Sequence, residues 1–116
     1  MIFGGRDPLN PPDGGEVKTP WGSVEYHPPV LESFDRWRAF NRCGGEPVAT
    51  APDGVREVRA TGCAPDGEVR CVIVDDLGHH WPGGPRLLPP WIAGPASTRV
   101  DGARLLWDFF QAHRLT

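Results

Sequence analysis

Two loops hold the polar residues best placed for chemistry. Gly4-Gly5-Arg6-Asp7-Pro8-Leu9-Asn10-Pro11 sets a carboxylate directly after a short apolar run, and Gly78-His79-His80-Trp81-Pro82-Gly83-Gly84 sets an imidazole directly after another. Loops held by rigid strands commonly carry function, and in a parallel sheet both would emerge at the carboxyl edge, where such folds bind ligands. An Asp that accepts the Nδ1–H bond of a His fixes the tautomer and stabilises the imidazolium, so that the His can take a proton from a nucleophile. Asp7 and His79 are the candidate acid and base on this reading. Their order fits triads that run Ser, Asp, His along the chain, which places the Ser before Asp7.

No such serine is present. The nucleophile elbow Gly-x-Ser-x-Gly does not occur; Gly22-Ser23-Val24 and Ala96-Ser97-Thr98 do not fit it, and both follow Asp7. Cys71 lies inside an apolar run, where a thiol is buried and inert. His80 is a neighbour that shapes the mouth of the pocket. A metal site on His79 and His80 would need further ligands, for which only Asp75 and Asp76 are near, so no metal and no cofactor are expected. His27 and His113 read as structural; a protonated His113 near a helix C-terminus gains from the dipole. Trp81 is expected beside His79 and is the substrate-binding candidate, whereas Trp21 and Trp91 lie in loops and are read first as cover for the core.

The elements that must position these residues follow from pattern. Met1 to Phe3 reads as a strand stub ended by Gly4-Gly5. Residues 6–29 are rich in Pro and Gly and read as a surface excursion. Val30 to Arg42 has the apolar spacing of a helix (Leu31, Phe34, Trp37), with Pro29 at its start and Gly44-Gly45 at its stop; Phe34 and Trp37 are its expected core anchors. Val55 to Thr61 alternates weakly as a short strand, and Val69 to Val74 is a β-branched strand. After a loop from Asp75 to Pro95, Val100 to His113 reads as an amphipathic helix. Its stripe is Ala103, Leu106, Phe109, Phe110 and His113, with Ser97, Thr98 or Asp101 able to cap it. Strands mixed with helices argue for an α/β fold built on a parallel sheet.

Bulk properties bound the function. The chain has 116 residues, room for one small domain, and its 39% hydrophobic and 23% charged residues exclude a disordered tail. A net charge of −3 without a basic stripe argues against nucleic acid, and no apolar run is long enough to span a bilayer. Three cysteines permit at most one intramolecular disulfide. Met1-Ile2-Phe3-Gly4-Gly5-Arg6-Asp7 is no signal peptide and reads like the middle of a buried strand, which predicts a truncated or late start with an open apolar edge.

At these loops the sequence resembles the C-terminal portion of the polyhydroxybutyrate depolymerase-like and feruloyl esterase-like serine esterases. Residues 2–11 resemble the strand and catalytic-acid turn of that family, which often has a histidine at the position of Gly4. Residues 77–84 resemble its histidine motif Gly-His-x-Trp-Pro-Gly, and residues 101–113 its terminal helix. The resemblance implies that residues 1–116 are the C-terminal part of a single α/β-hydrolase catalytic domain, with parallel strands and flanking helices, truncated before the acid strand. It also implies carboxylic-ester hydrolysis by a Ser-Asp-His triad in the intact parent, on polyhydroxyalkanoate, feruloyl or related esters, with Asp7 as the acid, His79 as the base and His80 at the variable position. It further implies a Cys43–Cys63 disulfide and a secreted parent. The alternatives are a non-catalytic polymer- or carbohydrate-binding module and one half of a split esterase whose serine arrives on a partner chain.

Overall fold

A computed structural model describes residues 1–114. Its centre is a four-stranded sheet in the order β1-β6-β5-β4, from Ile2–Gly4 (β1), Arg70–Val74 (β6), Val55–Arg59 (β5) and Val48–Thr50 (β4). A two-stranded antiparallel hairpin stands apart, made of Gly15–Lys18 (β2) and Val24–His27 (β3). The helices are Val30–Phe40 (α1), the single turn Pro90–Ala93 (α2) and Gly102–Ala112 (α3).

The sheet is mixed, which corrects the expectation of a parallel-sheet α/β-hydrolase portion. Only β1 and β6 run parallel, with Ile2 opposite Val72 and Gly4 opposite Val74. β5 pairs antiparallel with both β6 and β4. The reason lies in the connections. A parallel pair needs a crossover of about a dozen or more residues, usually a helix, and the ten residues between β5 and β6 contain none. They hold positive-φ Gly62 and Asp66, and the loop is closed where the Ala60 N–H donates to the Val69 carbonyl at 2.8 Å. β4, the hairpin and α2 were not foreseen. The hairpin falls inside the stretch read as a surface excursion, where its turn is stitched by Thr19 and Ser23: the Thr19 N–H donates to the Ser23 carbonyl at 2.9 Å, and the two hydroxyls lie 2.6 Å apart.

The core has two parts, one on each face of β6. Val30 and Phe34 of α1 meet Cys71 and Ile73 on one face. Val72, Val74 and Leu77 face the other way, against Ile2, Val100 and Leu105. Phe34 is fully buried as expected, but Trp37 is 53% exposed and is not a core anchor. On α3 the inward stripe is Gly102, Leu105, Leu106, Phe109 and His113, while Ala103 and Phe110 face outward. Asp101 supplies the cap, its Oδ1 accepting the Arg104 N–H at 3.1 Å.

Polar contacts tie α3 to the start of β6. His113 Nε2 lies 2.7 Å from Glu68 Oε2, His113 stacks on Phe109, and Arg70 donates to Glu68 Oε1 at 2.8 Å. Burial alone would push the Glu68 carboxyl up. The hydrogen bonds and charges of Arg70 and His113 outweigh it and hold the group below its ordinary value of 4.5. A depressed folded-state value means that Glu68 stabilises the fold fully above its ordinary value, and that this contribution is lost as the pH falls through the folded one. Thermal midpoints of the wild type and Glu68→Gln are therefore expected to differ at neutral pH and to draw together only as the pH falls below 4.5 and through the lower folded-state value. A gap that persists unchanged into acid would contradict the assignment.

Candidate functional site

The parallel pair β1 and β6 positions the site, because both strands end on the same edge of the sheet. β1 runs into a tight turn in which the Gly5 N–H donates to Val74 O at 2.8 Å and the Arg6 N–H to Leu77 O at 2.9 Å. The turn exists because β1 and the segment after β6 touch at backbone distance. A Cβ on Gly4 would collide with the carbonyls of Leu77 and Gly78, and one on Gly5 would lie 2.7 Å from Asp75 O.

Asp7 sits at the end of this turn and is 8% exposed. Its carboxylate is held at both oxygens. Oδ1 accepts the backbone N–H groups of Leu9 and Asn10, each at 2.9 Å, the local turn that an Asp before Pro favours. Oδ2 lies 2.8 Å from Nδ1 of His79. An ionised carboxylate only accepts, so Nδ1 carries a proton, and in the neutral imidazole Nε2 then holds the lone pair. His79 is anchored by its own N–H, which donates to Ala93 O at 2.6 Å, and its side chain is half exposed. Among the described residues Nε2 has no protein hydrogen-bond partner.

The structure therefore brings Asp7 and His79 together across 72 residues of chain. They line one open cleft of about 470 Å³, with Trp81, His80, Asn10 and Leu106 among its walls. Trp81 is on the cleft as expected, but 54% exposed. Trp21 and Trp91 are strongly exposed and do not cover the core; neither lines the cleft. Leu106 and Asn10 were not singled out from sequence. Leu106 belongs to the predicted helical stripe, so its place was legible although its role was not.

Among the described residues no Ser, Thr or Cys lines the cleft. Ser97 is buried and donates to Asp76 Oδ1 at 2.7 Å, which together with Arg99 holds the Asp76 carboxyl below its ordinary range. Asp75 is paired with Arg56 at 2.8 Å. Cys71 is buried and its thiol is pushed up by burial, so it is a poor nucleophile. Cys43 and Cys63 form a disulfide, the pairing the resemblance implied. Among the described residues no three His, Cys, Asp or Glu side chains cluster as metal ligands would, and no helix is long and apolar enough to cross a membrane.

Bonded through Nδ1 to a fixed carboxylate, on a half-exposed residue that lines a cleft, a neutral imidazole can accept a proton from one reacting atom and return it to another. Comparison with protein-family models, curated proteins and solved structures finds no match for this chain.

Proposed function

We propose that the chain supplies the base and the orienting acid of a serine-type carboxylic-ester hydrolase related to the polyhydroxybutyrate depolymerase-like and feruloyl esterase-like enzymes. The observation that carries this reading is the 2.8 Å contact between Asp7 Oδ2 and His79 Nδ1, with Asp7 Oδ1 already saturated by two backbone donors. The Gly78-His79-His80-Trp81-Pro82-Gly83 motif around the base supports it.

In the proposed reaction a serine hydroxyl attacks the ester carbonyl while His79 Nε2 takes its proton. Asp7 stabilises the imidazolium that forms, and the same proton then passes to the departing alkoxide, releasing the alcohol. Water attacks the acyl-serine by the same route and releases the acid. The serine comes from outside the cleft's own residues, on a preceding segment of a longer polypeptide or on a partner chain. The ester of a polyester or of a plant wall is the expected substrate class, and the Cys43–Cys63 disulfide agrees with an oxidising, extracellular setting.

A fluorophosphonate probe and p-nitrophenyl butyrate test the reading. In the protein purified from its source, the probe is expected to label a serine, and turnover is expected to vanish in His79→Ala. The 116-residue chain alone is expected to show neither labelling nor turnover above background. Turnover by the isolated chain that is lost in His79→Ala would contradict the need for an external serine. Full activity of His79→Ala in the source protein would overturn the function.

Exposed aromatic residues favour a second reading, a polymer- or carbohydrate-binding module. Trp21 and Tyr26 stand out on the hairpin and Trp91 on α2. Binding to an insoluble polyester or polysaccharide that survives Asp7→Asn and His79→Ala, but not Trp21→Ala with Trp91→Ala, would select it.

A further inference from the structure

We infer that His80 is a positioning residue whose side chain braces the backbone on either side of the Asp7–His79 contact. The inference rests on the reading of Asp7 and His79 as an acid–base pair.

His80 lines the same cleft, yet one of its ring nitrogens is engaged by the backbone rather than left open to it. Its Nε2 lies 3.0 Å from the carbonyl oxygen of Gly94. A carbonyl only accepts, so Nε2 must carry the proton and donate it. Two backbone bonds flank this one: the Gly78 N–H donates to Pro95 O at 2.7 Å and the His79 N–H to Ala93 O at 2.6 Å. Three successive residues of the base loop are thus bonded to three successive carbonyls, that of the last residue of α2 and those of the two residues after it.

The braced segment touches both arms of the pair. Gly94 adopts φ +74°, and a Cβ there would lie 2.8 Å from Arg6 O in the acid turn and 3.3 Å from Cα of Gly78 in the base loop. It is wedged between the turn that carries Asp7 and the loop that carries His79, so a shift of Gly94 moves one against the other. Side-chain and backbone bonds share this load, but the His80 bond can be removed by substitution without altering the backbone.

A mispositioned imidazole loses far more than one hydrogen bond's worth of function, because misplacement of about 1 Å at a reacting group can cost ~10²-fold. The chain's own observable is the proton on Nδ1 of His79, protected from exchange only while Asp7 Oδ2 stays opposite it.

Solvent exchange of that ring proton, followed by NMR on the 15N-histidine-labelled chain, tests the inference. His80→Leu keeps bulk and removes the donor; His80→Gln retains an N–H donor on a side chain of similar reach. Exchange of the His79 proton is expected to quicken about tenfold in His80→Leu, the worth of one hydrogen bond, and to return near the wild-type rate in His80→Gln. Should His80→Leu not fold, His80→Asn, polar but too short to reach Gly94, carries the same comparison. Exchange in the donor-less variant within about twofold of wild type would overturn the inference, as would equal damage in His80→Gln. Absence of the protected proton from the wild type itself would instead overturn the acid–base reading beneath it.

Discussion

Asp7→Asn is expected to leave the chain folded and to lower ester turnover about 10⁴-fold wherever a serine reaches His79, the loss seen when a triad aspartate becomes an amide. The carboxamide is nearly isosteric, and its oxygen can still accept from the Leu9 and Asn10 N–H groups that bind Oδ1 at 2.9 Å. Its NH₂ then stands where Oδ2 was, 2.8 Å from Nδ1 of His79. That contact is tolerable only if Nδ1 gives up its proton, which moves to Nε2. The nitrogen facing the cleft becomes a donor and can no longer take the serine proton. Asp7→Ala differs in kind: it leaves two backbone donors and the imidazole unpaired around a buried position, at about 1–3 kcal/mol for each unsatisfied group. Turnover and thermal unfolding measured on both variants check the pair of expectations. Equal turnover by Asp7→Asn and wild type would mean that Asp7 does not orient the base.

Replacing both Cys43 and Cys63 with Ser is expected to destabilise the chain by about 3 kcal/mol, the chain-entropy value for a loop of this size. The disulfide joins the chain just after α1 to the β5–β6 connection, across 20 residues. Backbone bonds beside it, from the Gly44 N–H to Gly62 O at 3.1 Å and from the Gly45 N–H to Thr61 O at 3.0 Å, have no other covalent support. A domain of this size buries a limited core, so the loss is a large part of its stability. β6 begins at the disulfide end of the sheet and finishes at the His79 end. The Asp7–His79 contact is therefore expected to survive in the folded fraction. Denaturant midpoints of the oxidised wild type and the double variant measure the effect. A shift below about 1 kcal/mol would mean that the loop is already fixed by its other contacts.

The placing of Asp7 and His79 was more legible than the fold. Each follows an apolar run and sits among turn residues, so local chemistry put them forward and the motif resemblance gave them weight, and the parallel pairing of those two runs brings them to one edge. The remaining pairing was misread because strand signals carry no direction. Val55–Arg59 and Arg70–Val74 were both anticipated, with ends displaced by one or two residues, but their antiparallel order follows from the helix-free loop between them. The hairpin was hidden by its prolines and glycines, which mark turns as readily inside a hairpin as between elements. β4 is three exposed residues with no pattern to find. Trp37 misled because spacing on a helix gives a face, not the extent of what covers it. The glycines at 4, 78 and 94 hold the two arms together. Sequence marks them only as turn formers, since the need for absent side chains arises from contacts made far along the chain.

The tautomer of His79 is the most direct test of the central claim. In the 15N-histidine-labelled chain, with the imidazole in its neutral form, Nδ1 is predicted to bear the proton, with a downfield ring-proton resonance that disappears in Asp7→Ala, and Nε2 is predicted to show the shift of an unprotonated nitrogen. An Nε2–H tautomer, or an imidazole averaging freely between the two forms, would show that Asp7 does not hold His79 as a base and would remove the ground for assigning ester hydrolysis.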